Sequence, residues 1–271
     1  MPFTSKTDIK IYYESAGEGP RILYISGTGG DLRAKPNVLD GPIRETNCLA
    51  AYDQRGLGQT EKPNTKFTMA QYADDAAELM DELGWQDAHV VGVSFGGMVA
   101  QNMALRHPEK INKLVLCCTS PGGKEMASYP LHEIPADMDH RERLLKMMPI
   151  SDTRRDEAWQ RANQDRVKKI ISVTLNMRHA DQDLPEFKEG YRKQLEARSQ
   201  HDVVENLPNI KMPTLICAGR YDGVAPAKNQ LAMCDLLPNA RLQWFEGGHM
   251  FLIQDKSAGP AIVSFLNDNE L

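Results

Sequence analysis

The sequence predicts an α/β fold, a mostly parallel sheet flanked by helices with an inserted helical cap, and three observations carry that reading. Short apolar, β-branched runs alternate with amphipathic helical stretches, the pattern of a parallel sheet covered on both faces. Several runs empty into glycine-containing loops, which places those loops at the carboxyl edge of the sheet, where open α/β sheets hold their sites. Between about residues 122 and 206 the strand-like runs disappear and charged helical stretches take over. The expected division is a core of residues 1–121 and 207–271 with a helical cap at 122–206.

Composition bounds the function. With 271 residues, 41% of them hydrophobic, the chain can bury a large core. A formal net charge of -5 and the absence of a long Lys/Arg block argue against nucleic acid or an anionic membrane as the main partner. The N-terminal residues lack the apolar core of a signal peptide, and no stretch approaches the roughly 18 uncharged apolar residues of a membrane span. The expectation is a soluble cytoplasmic protein, monomer or homodimer, acting on a small molecule. Five cysteines, at 48, 117, 118, 217 and 234, lack metal-type spacing, and those in apolar runs read as buried thiols.

In chain order, Ile9-Lys10-Ile11-Tyr12-Tyr13 reads as an edge hairpin strand with its turn at residues 17–20. Arg21-Ile22-Leu23-Tyr24-Ile25 is a nearly unbroken apolar strand that ends in Ser26-Gly27-Thr28-Gly29-Gly30. Bare backbone there can approach a substrate, and the N–H of Thr28 is a candidate oxyanion donor. The loop has neither G-x-G-x-x-G nor a lysine-containing P-loop pattern, which argues against phosphate binding. Cys48-Leu49-Ala50-Ala51-Tyr52 is the next strand, followed by Asp53-Gln54-Arg55-Gly56-Leu57-Gly58. Asp53 and Arg55 could be catalytic, but two glycines with paired opposite charges more simply brace a tight loop. Thr68 with Gln71 three residues on is an N-cap signature for a helix over 69–83, ending at Gly84.

The most informative stretch is Val90-Val91-Gly92-Val93-Ser94-Phe95-Gly96-Gly97-Met98. A β-branched run precedes Ser94 and a helical one follows, so the serine occupies a strand-to-helix turn. Glycines at 92, 96 and 97 permit a sharp bend that turns the hydroxyl outward. The same turn sets the amide of Phe95 at a helix start, where a free N–H and the helix dipole can stabilise an oxyanion.

His107-Pro108 stops that helix, and Leu114-Val115-Leu116-Cys117-Cys118 is another buried strand. In the cap, helices are expected over 141–148, 157–175 and 186–205. Its methionines, among them Met147, Met148 and Met177, are candidates to line an adaptable apolar pocket, although methionine at helical spacing is also plain packing material. The sheet resumes with 213–219, then Leu242-Gln243-Trp244-Phe245, and a closing helix includes 262–266.

The two resumed strands end in residues that a serine nucleophile needs. Asp222 lies just past one and His249 just past the other. A neutral serine hydroxyl needs a base, and a histidine can take its proton and return it to the leaving group. A carboxylate then holds the imidazole tautomer. Asp222 is the candidate acid, with Glu246 the nearest alternative in sequence.

On Gly92-Val93-Ser94-Phe95-Gly96-Gly97, the Asp53-to-Gly58 loop, Gly219-x-x-Asp222 and Gly247-Gly248-His249, nearly the whole chain resembles the α/β-hydrolase fold superfamily. The resemblance implies a triad of Ser94, Asp222 and His249, oxyanion amides at Phe95 and Thr28, and no metal or organic cofactor. Many members have His-Gly where this chain has Ser26-Gly27, so the usual bracing of the oxyanion loop is missing. Residues 92–107 look most like enol-lactonase and carboxylesterase relatives. Serine in place of aspartate at 94 speaks against haloalkane dehalogenase and epoxide hydrolase activity, and the oxyanion loop does not match proline iminopeptidases. Hydrolysis of a small or medium ester or lactone ranks first and carbon–carbon bond hydrolysis second. Perhydrolases share the triad, and a slow-turnover ligand receptor stays open as a different class.

Overall fold

The computed structural model describes residues 3–5, 7–135 and 137–267. Seven strands form one sheet: β1 (Tyr13–Ala16), β2 (Arg21–Ile25), β3 (Cys48–Tyr52), β4 (Ala88–Val93), β5 (Ile111–Cys117), β6 (Thr214–Gly219) and β7 (Ala240–Phe245). Their order across the sheet is β1-β3-β2-β4-β5-β6-β7, and every pairing is parallel except that of β1 with β3. This corrects the hairpin expected at the N-terminus. The strand starts at Tyr13, and its partner is β3, not the adjacent β2, because β2 already lies between two parallel neighbours.

The helices are α1 (Ile43–Thr46), α2 (Met69–Glu82), α3 (Phe95–Arg106), α4 (His140–Ser151), α5 (Glu157–Ala162), α6 (Gln164–Asn176), α7 (Pro185–Ser199), α8 (Ala227–Leu236), α9 (Phe251–Gln254) and α10 (Ala258–Asn267). Thr68 caps α2 in a full capping box with Gln71. Alternate residues of the central strands feed two cores. Leu114 and Leu116 of β5 pack with α2 and α3, whereas Val115 and Cys117 pack with α9 and α10. Strands buried on both faces are thus the physical content of the unbroken apolar runs.

Residues between β5 and β6 supply α4 to α7 with a small core of their own, Met148, Val167 and Ile171. The two ends of this insertion meet: Val203 N–H donates to Pro121 O at 3.0 Å and Gly123 N–H to His201 O at 3.2 Å. The helix expected over 157–175 is broken at Asn163, which leaves helical geometry at φ -126° and ψ 40°. Its side-chain amide donates to Trp159 O at 2.9 Å, an example of local bonding that competes with helix continuation. The helix expected over 186–205 stops at Ser199, where the chain turns back toward Pro121. All five cysteines are free. No helix among the described residues is long and apolar enough to cross a membrane.

Candidate active site

Ser94 joins β4 to α3 with φ 54° and ψ -115°. Strain of about 1–3 kcal/mol at such a residue persists only where the surroundings over-determine it. Here Ser94 N–H donates to Cys117 O at 2.8 Å, and Ser94 O accepts from Thr119 Oγ1 at 2.7 Å and Gly97 N–H at 2.9 Å. The elbow glycines are needed for close approach. A Cβ on Gly96 would collide with the backbone carbonyls of Ile25 and Ser26, and one on Gly92 with the carbonyl of Gly96.

The sheet edge brings Ser94, Asp222 and His249 together from β4, β6 and β7. His249 Nε2 lies 2.9 Å from Ser94 Oγ, and Nδ1 lies 2.8 Å from Asp222 Oδ2. A carboxylate only accepts, so Nδ1–H donates to Asp222 and Nε2 is left to accept from the serine hydroxyl. Asp222 Oδ1 accepts from the N–H groups of Val224 and Ala225 at 2.8 and 2.9 Å, which pins the carboxylate in its buried turn. Glu246, the alternative acid, is 62% exposed at its side chain and turns outward to Arg220 at 3.2 Å.

The loop after β2 passes directly over Ser94: a Cβ on Gly27 would stand 3.5 Å from Ser94 Cβ. Neither Thr28 N–H nor Phe95 N–H has an acceptor among the described residues, so both are free to hold an oxyanion. The bracing that Ser26 itself lacks comes from two buried glutamines. Gln54 Nε2 donates to Ser26 O at 2.6 Å and to Ser26 Oγ at 3.2 Å, and Gln194 Oε1 of α7 accepts from Gly29 N–H at 2.9 Å. Asp53 and Arg55, flanking Gln54, are structural. Asp53 accepts from Leu32 and Gln59 N–H, while burial pushes its carboxyl up to about 6 against those donors. Arg55 grips Asp75 through two bonds of 2.8 and 2.7 Å.

The end of α4 holds the loops of both Asp222 and His249. Ile150 O accepts from Gly223 N–H at 3.0 Å, Ser151 O from His249 N–H at 2.6 Å, and Thr153 N–H donates to Tyr221 O at 2.9 Å. Beneath them Asp152, 1% exposed at its side chain, accepts from Arg154 Nε and Nη2 at 2.9 and 2.8 Å and from Gln254 Nε2 at 3.3 Å. Gln254 Oε1 in turn accepts from Gly248 N–H at 2.7 Å, one residue before the candidate base His249. Burial alone would raise the Asp152 carboxyl, but Arg154 holds it below its ordinary value.

A cavity of about 630 Å³ opens beside Thr28 and Gly29, between α4, α6 and α7. Its apolar wall includes Ile134, Leu144, Leu175, Phe187, Tyr191 and Leu195. Met147, Met148 and Met177 do not line it. Met148 is buried in the small core of the cap, Met147 is half-buried, and Met177 caps α6 with 39% exposure. The apolar stripe of α7, Phe187, Tyr191 and Leu195, takes that place because its i, i+4, i+8 spacing presents one face. Methionine content was the wrong signal; this stripe was readable. Gln54, Gln194 and Gln254 had no motif to mark them. Among the described residues no group of three or more His, Cys, Asp or Glu is arranged to hold a metal ion.

Comparison with known proteins supports this architecture. Poly(3-hydroxyalkanoate) depolymerase of Ectopseudomonas oleovorans is 29% identical over 253 residues, 90% of this chain and 83% of that protein. The 2-hydroxymuconate semialdehyde hydrolase of Pseudomonas putida is 28% identical, over 88% of this chain and 83% of its own. The crystal structure of the enol-lactonase from Burkholderia xenovorans LB400 superposes with a TM-score of 0.79 at 24% identity, covering 98% of this chain and 100% of that one, a likeness of fold. A family model described as alpha/beta hydrolase fold matches residues 20–256. Because that match runs from β2 to beyond α9, well over half of the chain, the chain belongs to the alpha/beta hydrolase fold family.

Proposed function

We propose that the protein is a serine hydrolase of small or medium carboxylic esters or lactones that works through an acyl-enzyme. The observation that carries this reading is the unbroken line Ser94 Oγ, His249 Nε2, His249 Nδ1, Asp222 Oδ2, with contacts of 2.9 and 2.8 Å. Ser94 Oγ attacks the substrate carbonyl as its proton passes to His249 Nε2, and Asp222 stabilises the imidazolium that forms. The amides of Phe95 and Thr28 receive the carbonyl oxygen as it becomes negative. Collapse of the tetrahedral intermediate breaks the ester C–O bond, and His249 returns the proton to the departing alkoxide. In a lactone that alcohol stays tethered to the acyl group. Water, deprotonated by the same imidazole, then attacks the acyl-Ser94 and releases the acid. No step requires a group beyond the chain's own residues and water.

A second reading, carbon–carbon bond hydrolysis by the same triad, is favoured by the relative named 2-hydroxymuconate semialdehyde hydrolase, because that name describes a substrate without an ester. Steady-state assay of short alkyl esters, aryl esters, lactones and a 2-hydroxymuconate semialdehyde, with wild type and Ser94→Ala, separates the two. Sustained, Ser94-dependent turnover of esters or lactones is expected. Turnover of the semialdehyde alone would replace the first reading with the second, and a single slow burst on every substrate would point to a receptor.

A further inference from the structure

Ser94 is tied to Asp222 twice, once through the imidazole of His249 and once from behind. Among the described residues, Ser94 and Cys118 are the two non-glycine residues with positive φ, 54° and 40°. Residues held in such sparsely populated conformations cluster where function depends on position. Here the two meet. The chain leaves β5 at Cys117, whose carbonyl accepts from Ser94 N–H at 2.8 Å, and the left-handed turn at Cys118 brings Thr119 against the elbow. Thr119 is buried, its Oγ1 donates to Ser94 O at 2.7 Å, and its side chain fills the space that a Cβ on Gly97 would need. That bond is not required to satisfy the Ser94 carbonyl, because Gly97 N–H at 2.9 Å and Met98 N–H at 3.3 Å already donate to it from the first turn of α3. A third donor, coming from the end of β5 and not from the helix, fixes where the elbow sits relative to the neighbouring strand.

From Thr119 the line continues to the acid. Gln230, buried on α8, donates from Nε2 to Thr119 O at 2.6 Å and to Ala225 O at 3.2 Å. Both partners are carbonyls, so the amide nitrogen and not its oxygen must face them, and both of its hydrogens are used. Ala225 N–H in turn donates to Asp222 Oδ1 at 2.9 Å. The bonds close a ring that runs from Ser94 through Thr119, Gln230, Ala225, Asp222 and His249 back to Ser94 Oγ. Its rear half is buried, where a hydrogen bond is stronger than in water. Ser120 is anchored separately, by Asn229 Nδ2 to its Oγ at 2.9 Å and by Gln101 Nε2 to its carbonyl at 3.3 Å, so the segment keeps its place when Gln230 is changed.

We propose that Thr119 and Gln230 are positioning residues that set the separation of Ser94 from Asp222, and with it the hydrogen-bond line through His249. This rests on the hydrolase reading above and extends it to two residues outside the triad. Both side chains are buried, so they act through Ser94 and Asp222 and not on the substrate. Their effect falls on the step in which Ser94 Oγ gives up its proton, and substrate binding is left as it is.

Three quantities test this in wild type, Thr119→Val, Thr119→Ser and Gln230→Met: kcat and KM for p-nitrophenyl butyrate, the urea midpoint of unfolding, and the downfield proton resonance of His249 Nδ1–H, identified by its loss in His249→Ala. Thr119→Val removes the donor and keeps the shape, so kcat should fall about 10-fold or more, with KM within about twofold and the midpoint unchanged. Thr119→Ser keeps the donor and gives up the methyl packed on Gly97, so the midpoint should fall while most of kcat remains. Gln230→Met should lower kcat by a similar factor and shift the His249 resonance. Because the two residues lie on one line, the Thr119→Val, Gln230→Met double variant should be about as slow as the slower single one. A wild-type kcat in Thr119→Val, losses that multiply in the double variant, or an unmoved His249 resonance in Gln230→Met would overturn the proposal. Thr119→Val decides the kinetic arm even where Gln230→Met does not fold. If wild type hydrolyses no ester but the resonance shifts in Gln230→Met, the hydrolase reading falls and the positioning role stands.

Discussion

The backbone N–H of His249 donates to the carbonyl of Ser151 at 2.6 Å, so the candidate base is held by the last residue of a cap helix as well as by its own sheet. The cap is therefore part of the frame around the candidate triad, because Ile150 O and Thr153 N–H, at the end of α4, also bond to Gly223 and Tyr221 on either side of Asp222.

Gln254 should act as a positioning residue for the base. It bridges buried Asp152 and the N–H of Gly248, and its loss frees the loop that aims the imidazole. Displacements of about 1 Å at a reacting group cost up to 10²-fold, so Gln254→Leu should lower kcat by about 10- to 100-fold with little change in KM. A variant that loses thermal stability while its kcat is unchanged would assign Gln254 to packing alone.

Arg55 should matter for stability and not for chemistry. Its guanidinium and the Asp75 carboxylate are 4% and 2% exposed, and Arg55→Ala strands a buried carboxylate. Removing one partner of such a pair costs about 3–5 kcal/mol. Urea unfolding should show that loss, while kcat per folded molecule stays near the wild-type value.

Stability should weaken in mild acid through His201. Burial pushes this imidazole down to about 4, and its Nδ1 accepts from Asn102 Nδ2 at 3.2 Å, which favours the neutral ring. In the unfolded chain it protonates near 6.5, so between pH 6.5 and 4 the unfolded state binds more protons and stability falls as pH drops. The contribution is roughly 3 kcal/mol across that window. In His201→Gln the fall in unfolding free energy from pH 6.8 to 4.5 should be smaller by most of that amount, and parallel curves for the two proteins would contradict it.

The sheet and the three catalytic candidates were readable from local pattern. Unbroken apolar runs mean burial on both faces, and the glycines around Ser94 and before His249 mark backbone crowding that only a missing side chain allows. What escaped depends on distant segments meeting. Gln194 and Gly29 are 165 residues apart, and Gln254 and Asp152 are 102 apart, so no local pattern announces either bond. The pairing of β1 escaped for a related reason, because a four-residue edge strand carries too little pattern to name its neighbour. The methionines misled because a flexible apolar side chain fills a core as readily as a pocket.

Acylation of Ser94 is tested most directly by trapping the serine itself. Wild-type protein and Ser94→Ala are treated with an alkyl fluorophosphonate, which traps an activated serine, and digested peptides are weighed by mass spectrometry. One adduct is expected, on Ser94, formed in wild type, absent in Ser94→Ala and slowed at least about 10³-fold in His249→Ala. An adduct on another residue, or equal labelling of the native and heat-unfolded protein, would contradict it.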